Sequence, residues 1–406
     1  MNIASRTKLP IESSFLRFAP ASNVAASAGA ACTRVQSTTC MAVALAASLM
    51  PAFASSSPRV LEEVAKIELP DPSYRGGSRV AVQGDDLIVA GHKRGFDPEV
   101  GDLLIQAAFL FKRQADSNWA FVTRLAEQTD SINFGEWSDI SAAIDGDVMA
   151  VAIGPRAVSL HVFERTPAGW AIAPTARPLF FDTSDVEISN GTILVSDCCW
   201  SAAVVRKNEL GVWARSAGVS GGFPIPPDDD NKGGDVDISG DAFIVANHKV
   251  DLFDFPGGPE ARIYERTADA WLERARLTGF GNHPDDAVGA VAIDASTAYV
   301  GGSAVTGLRV FDRSGTGEWL PTTTIAPPDT YMIGKPLRVE AEGYVAVAYP
   351  ADPNRRGSVG VFQRQRSGEY EEIARLVRSD AVASSAPIDD VDIDVGPERT
   401  TLVVGT

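Results

Sequence analysis

Internal repetition constrains this chain more than any other feature. The segment Gly84-Asp85-Asp86-Leu87-Ile88-Val89-Ala90 recurs as Gly146-Asp147-Val148-Met149-Ala150-Val151-Ala152 and as Gly240-Asp241-Ala242-Phe243-Ile244-Val245-Ala246. Looser copies occupy 191–196, 296–301, 343–348 and 400–405. Alternating segments precede these turns, such as Asp185-Val186-Glu187-Ile188, Asp235-Val236-Asp237-Ile238 and Asp390-Val391-Asp392-Ile393. Alternation is the period of a strand with one buried face, and Gly-Asp between two such strands marks a hairpin. A second block follows six of the copies: Phe111-Lys112-Arg113, Phe163-Glu164-Arg165, Val205-Arg206-Lys207, Tyr264-Glu265-Arg266, Phe311-Asp312-Arg313 and Phe362-Gln363-Arg364. A few turn residues later stands an aromatic, at Trp119, Trp170, Trp213, Trp271, Trp319 and Tyr370, in steps of 51, 43, 58, 48 and 51 residues.

Each unit therefore reads as four antiparallel strands, the third ending in aromatic-x-Arg and the fourth opening with Trp. A lone four-stranded sheet cannot cover both of its faces, whereas radial stacking covers every face and shields the edges. The expected fold is all-β, a single seven-bladed β-propeller over residues 55–406. The blades are expected near 77–130, 131–182, 183–230, 231–286, 287–333, 334–387 and 388–406. The last unit holds only two strands, and Val60 to Pro70 resembles a fourth strand such as Trp271 to Leu277. Strands from both ends, 388–406 and 59–70, are thus expected to share the seventh blade. Its third strand has no aromatic-x-Arg segment: the blade is three-stranded, or the sequence is truncated, or residues near 50 to 58 contribute.

The Gly-Asp turn, the Val-Ala ending, aromatic-x-Arg and the following Trp together resemble bacterial FG-GAP repeat proteins, which are similar to the propeller of integrin α subunits. The resemblance spans roughly residues 59 to 406, with Phe-Gly pairs at Phe134-Gly135 and Phe280-Gly281. It implies a secreted or surface propeller used for binding. Integrin-type propellers carry Asp-rich calcium loops, and the inner turns here are too short for one. The nearest approach is Asp228-Asp229-Asp230-Asn231-Lys232-Gly233-Gly234-Asp235, with Asp228, Asp230 and Asp235 as calcium candidates. Lys232 occupies the fifth position, where an oxygen ligand is wanted. A solvated acidic loop is the plainer reading.

The four histidines are His92, His161, His248 and His283. His161 precedes Val162-Phe163 in an expected strand and reads as structural. His92-Lys93 and His248-Lys249 each follow a second strand, and the equivalent place in the third unit is Cys198. These five are the ligand-binding candidates; convergence of His92, Cys198 and His248 would suit a soft metal. Inheritance of His-Lys from an ancestral unit explains the same pattern without a site. Cys198-Cys199 is a candidate vicinal disulfide, with two buried thiols as the alternative. No nucleophile elbow, phosphate loop or paired Cys-x-x-Cys is present.

The first 54 residues read as a leader: Arg6, Lys8, Arg17 and Arg34, then an apolar run from Met41 to Met50, then Ala52 and Ala54 at a signal-peptidase position. Cleavage after Ala54 and export to the periplasm, cell surface or medium are expected. The apolar run is shorter than the roughly 20 residues a membrane span needs. A net charge of -17 repels phosphate backbones, so no nucleic-acid partner is expected. The function expected is a monomeric, non-catalytic binding module for a protein or glycan, on loops 91–103 and 247–259. The alternative is a periplasmic enzyme, of dehydrogenase or lyase type, with an axial site on the same scaffold.

Overall fold

The computed structural model describes residues 13–18, 62–99, 101–131, 140–154, 158–176, 179–181, 185–197, 201–219, 235–246, 260–268, 270–278, 280, 288, 290–294, 296–301, 307–325, 337–340, 344–349, 358–377, 390–395 and 400–405. Among them every regular element is a β-strand, and the strands form seven antiparallel sheets. Sheet I comprises Arg75–Gln83, Asp86–Asp97, Gly101–Arg113 and Trp119–Ser131. Sheet II comprises Ser141–Asp145, Val148–Ile153, Val158–Thr166 and Gly169–Ile172, with Phe180–Phe181 also paired to its third strand. Sheet III comprises Val186–Ser189, Thr192–Asp197, Ser201–Lys207 and Trp213–Val219. Sheet IV comprises Val236–Ser239, Ala242–Ala246, Ala261–Arg266 and Trp271–Leu277.

Sheet V holds Ala290–Ile293, Thr297–Gly301, Leu308–Arg313 and Trp319–Ile325. Sheet VI holds Leu337–Glu340, Tyr344–Tyr349, Ser358–Arg364 and Tyr370–Val377. Sheet VII is discontinuous in sequence. Its order is Asp390–Val395, Thr400–Gly405, Ser13–Phe18 and Glu62–Ile67. Glu62–Ile67 takes the fourth place, the one its likeness to Trp271–Leu277 predicts. Among the described strands the third place goes to Ser13–Phe18, a segment expected to belong to the leader; residues 50 to 58 lie outside the described residues.

Turn chemistry explains the recurring Gly-Asp. Gly84, Gly146 and Gly240 have φ near +60°, which a side chain resists and a two-residue hairpin turn demands. In sheet III the turn is Asn190-Gly191, with φ of 47° and 67°, the type I′ pattern that Asn and Gly tolerate.

The seven apolar clusters each lie between two sheets. One joins I to II through Ile88, Leu110, Met149 and Phe163. Others join II to III around Trp213, III to IV around Phe243, and IV to V around Phe280. Two more join V to VI around Tyr299 and VI to VII around Val391 and Leu402. The seventh joins VII to I: Ile67 and Val403 pack with Val80, Leu87, Phe109 and Phe111. Each fully buried Val, Leu or Phe contributes about 1.5–3 kcal/mol.

A polar ladder accompanies these clusters along the first strands. An innermost strand pairs on one side only, leaving a row of N–H groups on its other edge. Here side chains of the preceding sheet accept them. Asp390 and Asp392 carboxylates of sheet VII accept the Val80 and Val82 N–H groups of sheet I, each at 2.7 Å, and Asp394 accepts Gly84 N–H at 3.0 Å. Ser141 and Asp145 of sheet II accept from Val186 and Asn190 of sheet III at 3.1 and 2.7 Å. Ser189 accepts from Gly240 at 2.9 Å, and Asp185 accepts from Val236 at 3.4 Å. Asp235 and Asp237 accept from Val291 and Ile293 at 3.0 and 2.7 Å. The alternating Asp of the first strands is therefore a ladder of acceptors.

A second ladder explains aromatic-x-Arg. The terminal cation reaches back to an acid of the preceding sheet: Lys207 to Glu164 at 2.7 Å, Arg313 to Glu265 at 2.9 Å, and Arg364 to Asp312. The acid is the middle residue of the preceding motif. Where that residue is Lys112, Arg165 takes buried Asp86 instead, at 2.7 Å. Three of the motif arginines lie over the aromatic that opens their own fourth strand: Arg113 on Trp119, Arg165 on Trp170 and Arg364 on Tyr370, at 4.6, 4.3 and 5.9 Å. Trp213 instead donates its Nε1–H to Glu164, at 2.6 Å. Motif and aromatic keep phase because they close one hairpin, the last motif residue pairing with the aromatic in each of sheets I to VI.

Two outcomes follow. Asp392→Ala, which strands the Val82 N–H, lowers unfolding stability by about 1–3 kcal/mol, whereas Asp392→Asn, which keeps an acceptor oxygen, costs less; urea denaturation measures both. Burial raises the Glu164 carboxyl, but hydrogen bonds from Lys207 and Trp213 outweigh it and hold the group below its ordinary range. Its contribution is complete above that range and fades as pH falls through it. Denaturation midpoints of wild type and Glu164→Gln therefore differ at pH 7 and converge only as pH falls below the ordinary glutamate range, where the depressed carboxyl protonates.

Candidate functional site

Sheet I departs from the rest in length. Its second, third and fourth strands have 12, 13 and 13 residues, against 5 to 8 for the corresponding strands of sheets III to VI. The apolar run from Leu103 to Phe111 sustains the extra pairing, with Lys93 opposite Ile105, Phe96 opposite Asp102 and Asp97 opposite Gly101. The expected loop 91–103 is therefore a projecting hairpin with a continuous ladder. At its tip Asp97 Oδ1 accepts the Glu99 N–H at 2.8 Å, and Gly101 turns with φ of 94°. Phe96, just before the turn, is 73% exposed, while Arg94 and Glu99 are exposed beside it.

An ionic brace holds the base of this hairpin. Lys93 Nζ lies 2.8 Å from Asp71 Oδ2 and 4.2 Å from the centre of the Tyr74 ring. Asp71 also accepts from the N–H and hydroxyl of Ser73, at 2.9 and 2.6 Å. The Lys93 and Ser73 bonds hold its carboxyl well below the usual range. Buried Tyr74 packs edge-on against Phe109, with centroids 5.3 Å apart, and its hydroxyl donates to Glu127 Oε2 at 2.6 Å. Burial first, and the Glu127 carboxylate second, push the Tyr74 hydroxyl far up, so it serves as a donor and not as a base. Arg124 completes the set by pairing with Glu127. The arrangement fixes the projecting strand and presents an aromatic side chain on it.

The candidate residues fall out unevenly. His92 lies within the second strand of sheet I, opposite Arg75 and Gln106. Lys93 is held by Asp71 and Tyr74. Cys198, Cys199, His248 and Lys249 lie outside the described residues, as do loop 247–259 and the calcium candidates Asp228 and Asp230. Asp235 is buried, and its carboxylate accepts the Val291 N–H. Among the described residues no three His, Cys, Asp or Glu side chains come together to hold a metal ion. No helix of the described residues is long and apolar enough to cross a membrane. His161 is partly buried, and burial lowers its pKa, which keeps it neutral near pH 7.

Three groups were missed in the sequence. The acceptor role of the first-strand Asp residues needed the edges of the neighbouring sheets. The middle motif residues carried a readable signal, since Glu164, Glu265 and Asp312 each precede a unit ending in a cation. The length of the hairpin was signalled by the apolar run starting at Leu103.

No family model matches this sequence, and no curated protein matches it. The FG-GAP resemblance thus rests on the motifs quoted above. Among solved structures, a Lactobacillus plantarum protein aligns with a TM-score of 0.48 and 12% identity, over 79% of this chain and 89% of its own. The periplasmic gluconolactonase of Pseudomonas aeruginosa gives 0.48 and 12%, over 79% and 90%. The WD40 β-propeller domain of Doa1 gives 0.45 and 9%, over 81% and 92%.

Lys93→Met tests the brace. Asp71 then titrates closer to an ordinary aspartate in NMR, and amides of 94–104 exchange faster while those of sheets III and IV keep their rates.

Proposed function

We propose that the seven sheets form one ring, a seven-bladed β-propeller closed between strands from both ends of the chain. The support is cyclic adjacency. Each sheet shares an apolar cluster with the next, and the acceptors of sheet VII bond to the first strand of sheet I as those of IV bond to V. The ring is read as a binding module for a protein or glycan, with the sheet I hairpin as its contact surface. The observation that carries this is Phe96, held out in solvent on a strand fixed by Lys93, Asp71, Tyr74 and Glu127. Large side chains on rigid supports lose little entropy on binding, and aromatic anchors dominate interface energetics.

The test compares wild type with Phe96→Ala against glycan arrays and candidate proteins from the producing cells. Loss of at least tenfold in affinity for a ligand of the wild type, with unchanged thermal unfolding, is the expected result. A ligand bound equally well by both forms would move the contact surface elsewhere. Turnover of a small molecule, unaffected by Phe96→Ala, would favour the enzyme reading.

A further inference from the structure

Sheet VII needs Ser13–Phe18. This strand pairs with Thr400–Gly405 from Ser14 opposite Val404 to Phe18 opposite Thr400. On its other side it pairs with Glu62–Ile67, from Ser13 opposite Ile67 to Arg17 opposite Glu62. Among the described strands Glu62–Ile67 has no other neighbour, so Ser13–Phe18 is its link to the sheet. That link positions Ile67, which is 4% exposed and packs with Val403 against the core of sheet I.

Two features tie this strand to the repeat. The first is its register. Third and fourth strands slip by one residue between Val204 and Val205, Ile263 and Tyr264, Val310 and Phe311, and Val361 and Phe362. Ser13–Phe18 slips against Glu62–Ile67 between Phe15 and Leu16. Matching the slips puts Leu16 at the aromatic position and Arg17 at the middle position. Arg17 then faces Thr401 just as Asp312 faces Thr297.

The second feature is the charge rule of the cation ladder. An acid in the middle position receives the next sheet's cation, as Glu164, Glu265 and Asp312 do. After a middle cation, the next arginine pairs with the acid of its own first turn. After Lys112, Arg165 pairs with Asp147 at 3.0 Å as well as with Asp86 of sheet I; after Arg206, Arg266 pairs with Asp241 at 2.9 Å. Arg113 follows Arg17 in this order, and it lies 4.0 Å from Asp85 and donates to the Thr401 hydroxyl at 2.8 Å. The contacts of Arg113 therefore match the pattern of the arginines that follow a middle cation.

We propose that Ser13–Phe18 is a permanent strand of the folded protein, so the working chain retains its N-terminal segment and is not cut after Ala54. This inference stands apart from the binding reading, since the strand is needed whatever the hairpin contacts. It replaces the cleavage expected from the small residues at Ala52 and Ala54.

The test uses the full chain. Protein recovered from the cells that make it has an intact mass that includes residues 13–54; a folded form beginning at Ser55 overturns the proposal. In hydrogen exchange, Leu16→Pro removes a ladder N–H from an interior strand. Amides of 62–67 and 400–405 then exchange at least tenfold faster, while Leu16→Val matches wild type. Global unfolding of Leu16→Pro alone, with Leu16→Val folded, equally supports the strand. Wild-type exchange rates at 62–67 and 400–405 in Leu16→Pro overturn it.

Discussion

The structure depends on how the open edge of each innermost strand is satisfied. A strand with a neighbour on one side leaves every second N–H without a ladder partner, and such an edge invites pairing with other chains. Carboxylates and hydroxyls of the preceding first strand take these groups. Donor and acceptor rows both have the period of a strand, two residues. Asp390, Asp392 and Asp394 therefore step along Val80, Val82 and Gly84 in register. A slip of one residue would turn every acceptor away. Hydrophobic burial between sheets has no direction, so it cannot set this register; the acceptor ladder does.

The cation ladder works farther out on the same interfaces and has a different character. Exposed ion pairs contribute about 0–1 kcal/mol each, so their value lies in specificity. Asp86 is the exception in this series: it is 3% exposed and serves Arg165 across the interface. Arg113, Arg165 and Arg364 also cover the aromatic that opens their fourth strand, and so each joins two sheets and one hairpin turn at a single point. Sheet I adds long strands to this common frame. Its extension grows from the second, third and fourth strands, leaving the first strand free to receive the Asp390, Asp392 and Asp394 acceptors.

Much of the array was legible because turns and alternation are local signals. Gly84, Gly146 and Gly240 mark hairpins by a backbone requirement, and the Trp phase reports the hairpin each closes. The fourth strand at Glu62–Ile67 was also readable, since it repeats an apolar spacing. The third strand of sheet VII was not: Phe-Leu-Arg-Phe lacks the terminal cation of the motif, and a leader pattern surrounds it. Roles that exist only between sheets were silent as well. Nothing local in Asp-Val-Asp-Ile says that its carboxylates meet N–H groups of another unit, some 310 residues away for Asp390 and Val80. The candidate site was half legible for a similar reason. His92 and Lys93 stood out by repetition, but the partners of Lys93, namely Asp71 and Tyr74, precede the first repeat.

The central claim is that acceptors of one first strand satisfy the open edge of the next, including the step from the last sheet to the first. Residue-resolved amide exchange of the native chain tests it most directly. The account predicts that Val80, Val82 and Gly84 are protected to the same degree as Val291 and Ile293, and that Asp390→Ala with Asp392→Ala exposes Val80 and Val82 selectively. Free exchange at Val80 and Val82 in the native chain, with Val291 and Ile293 protected, would contradict it.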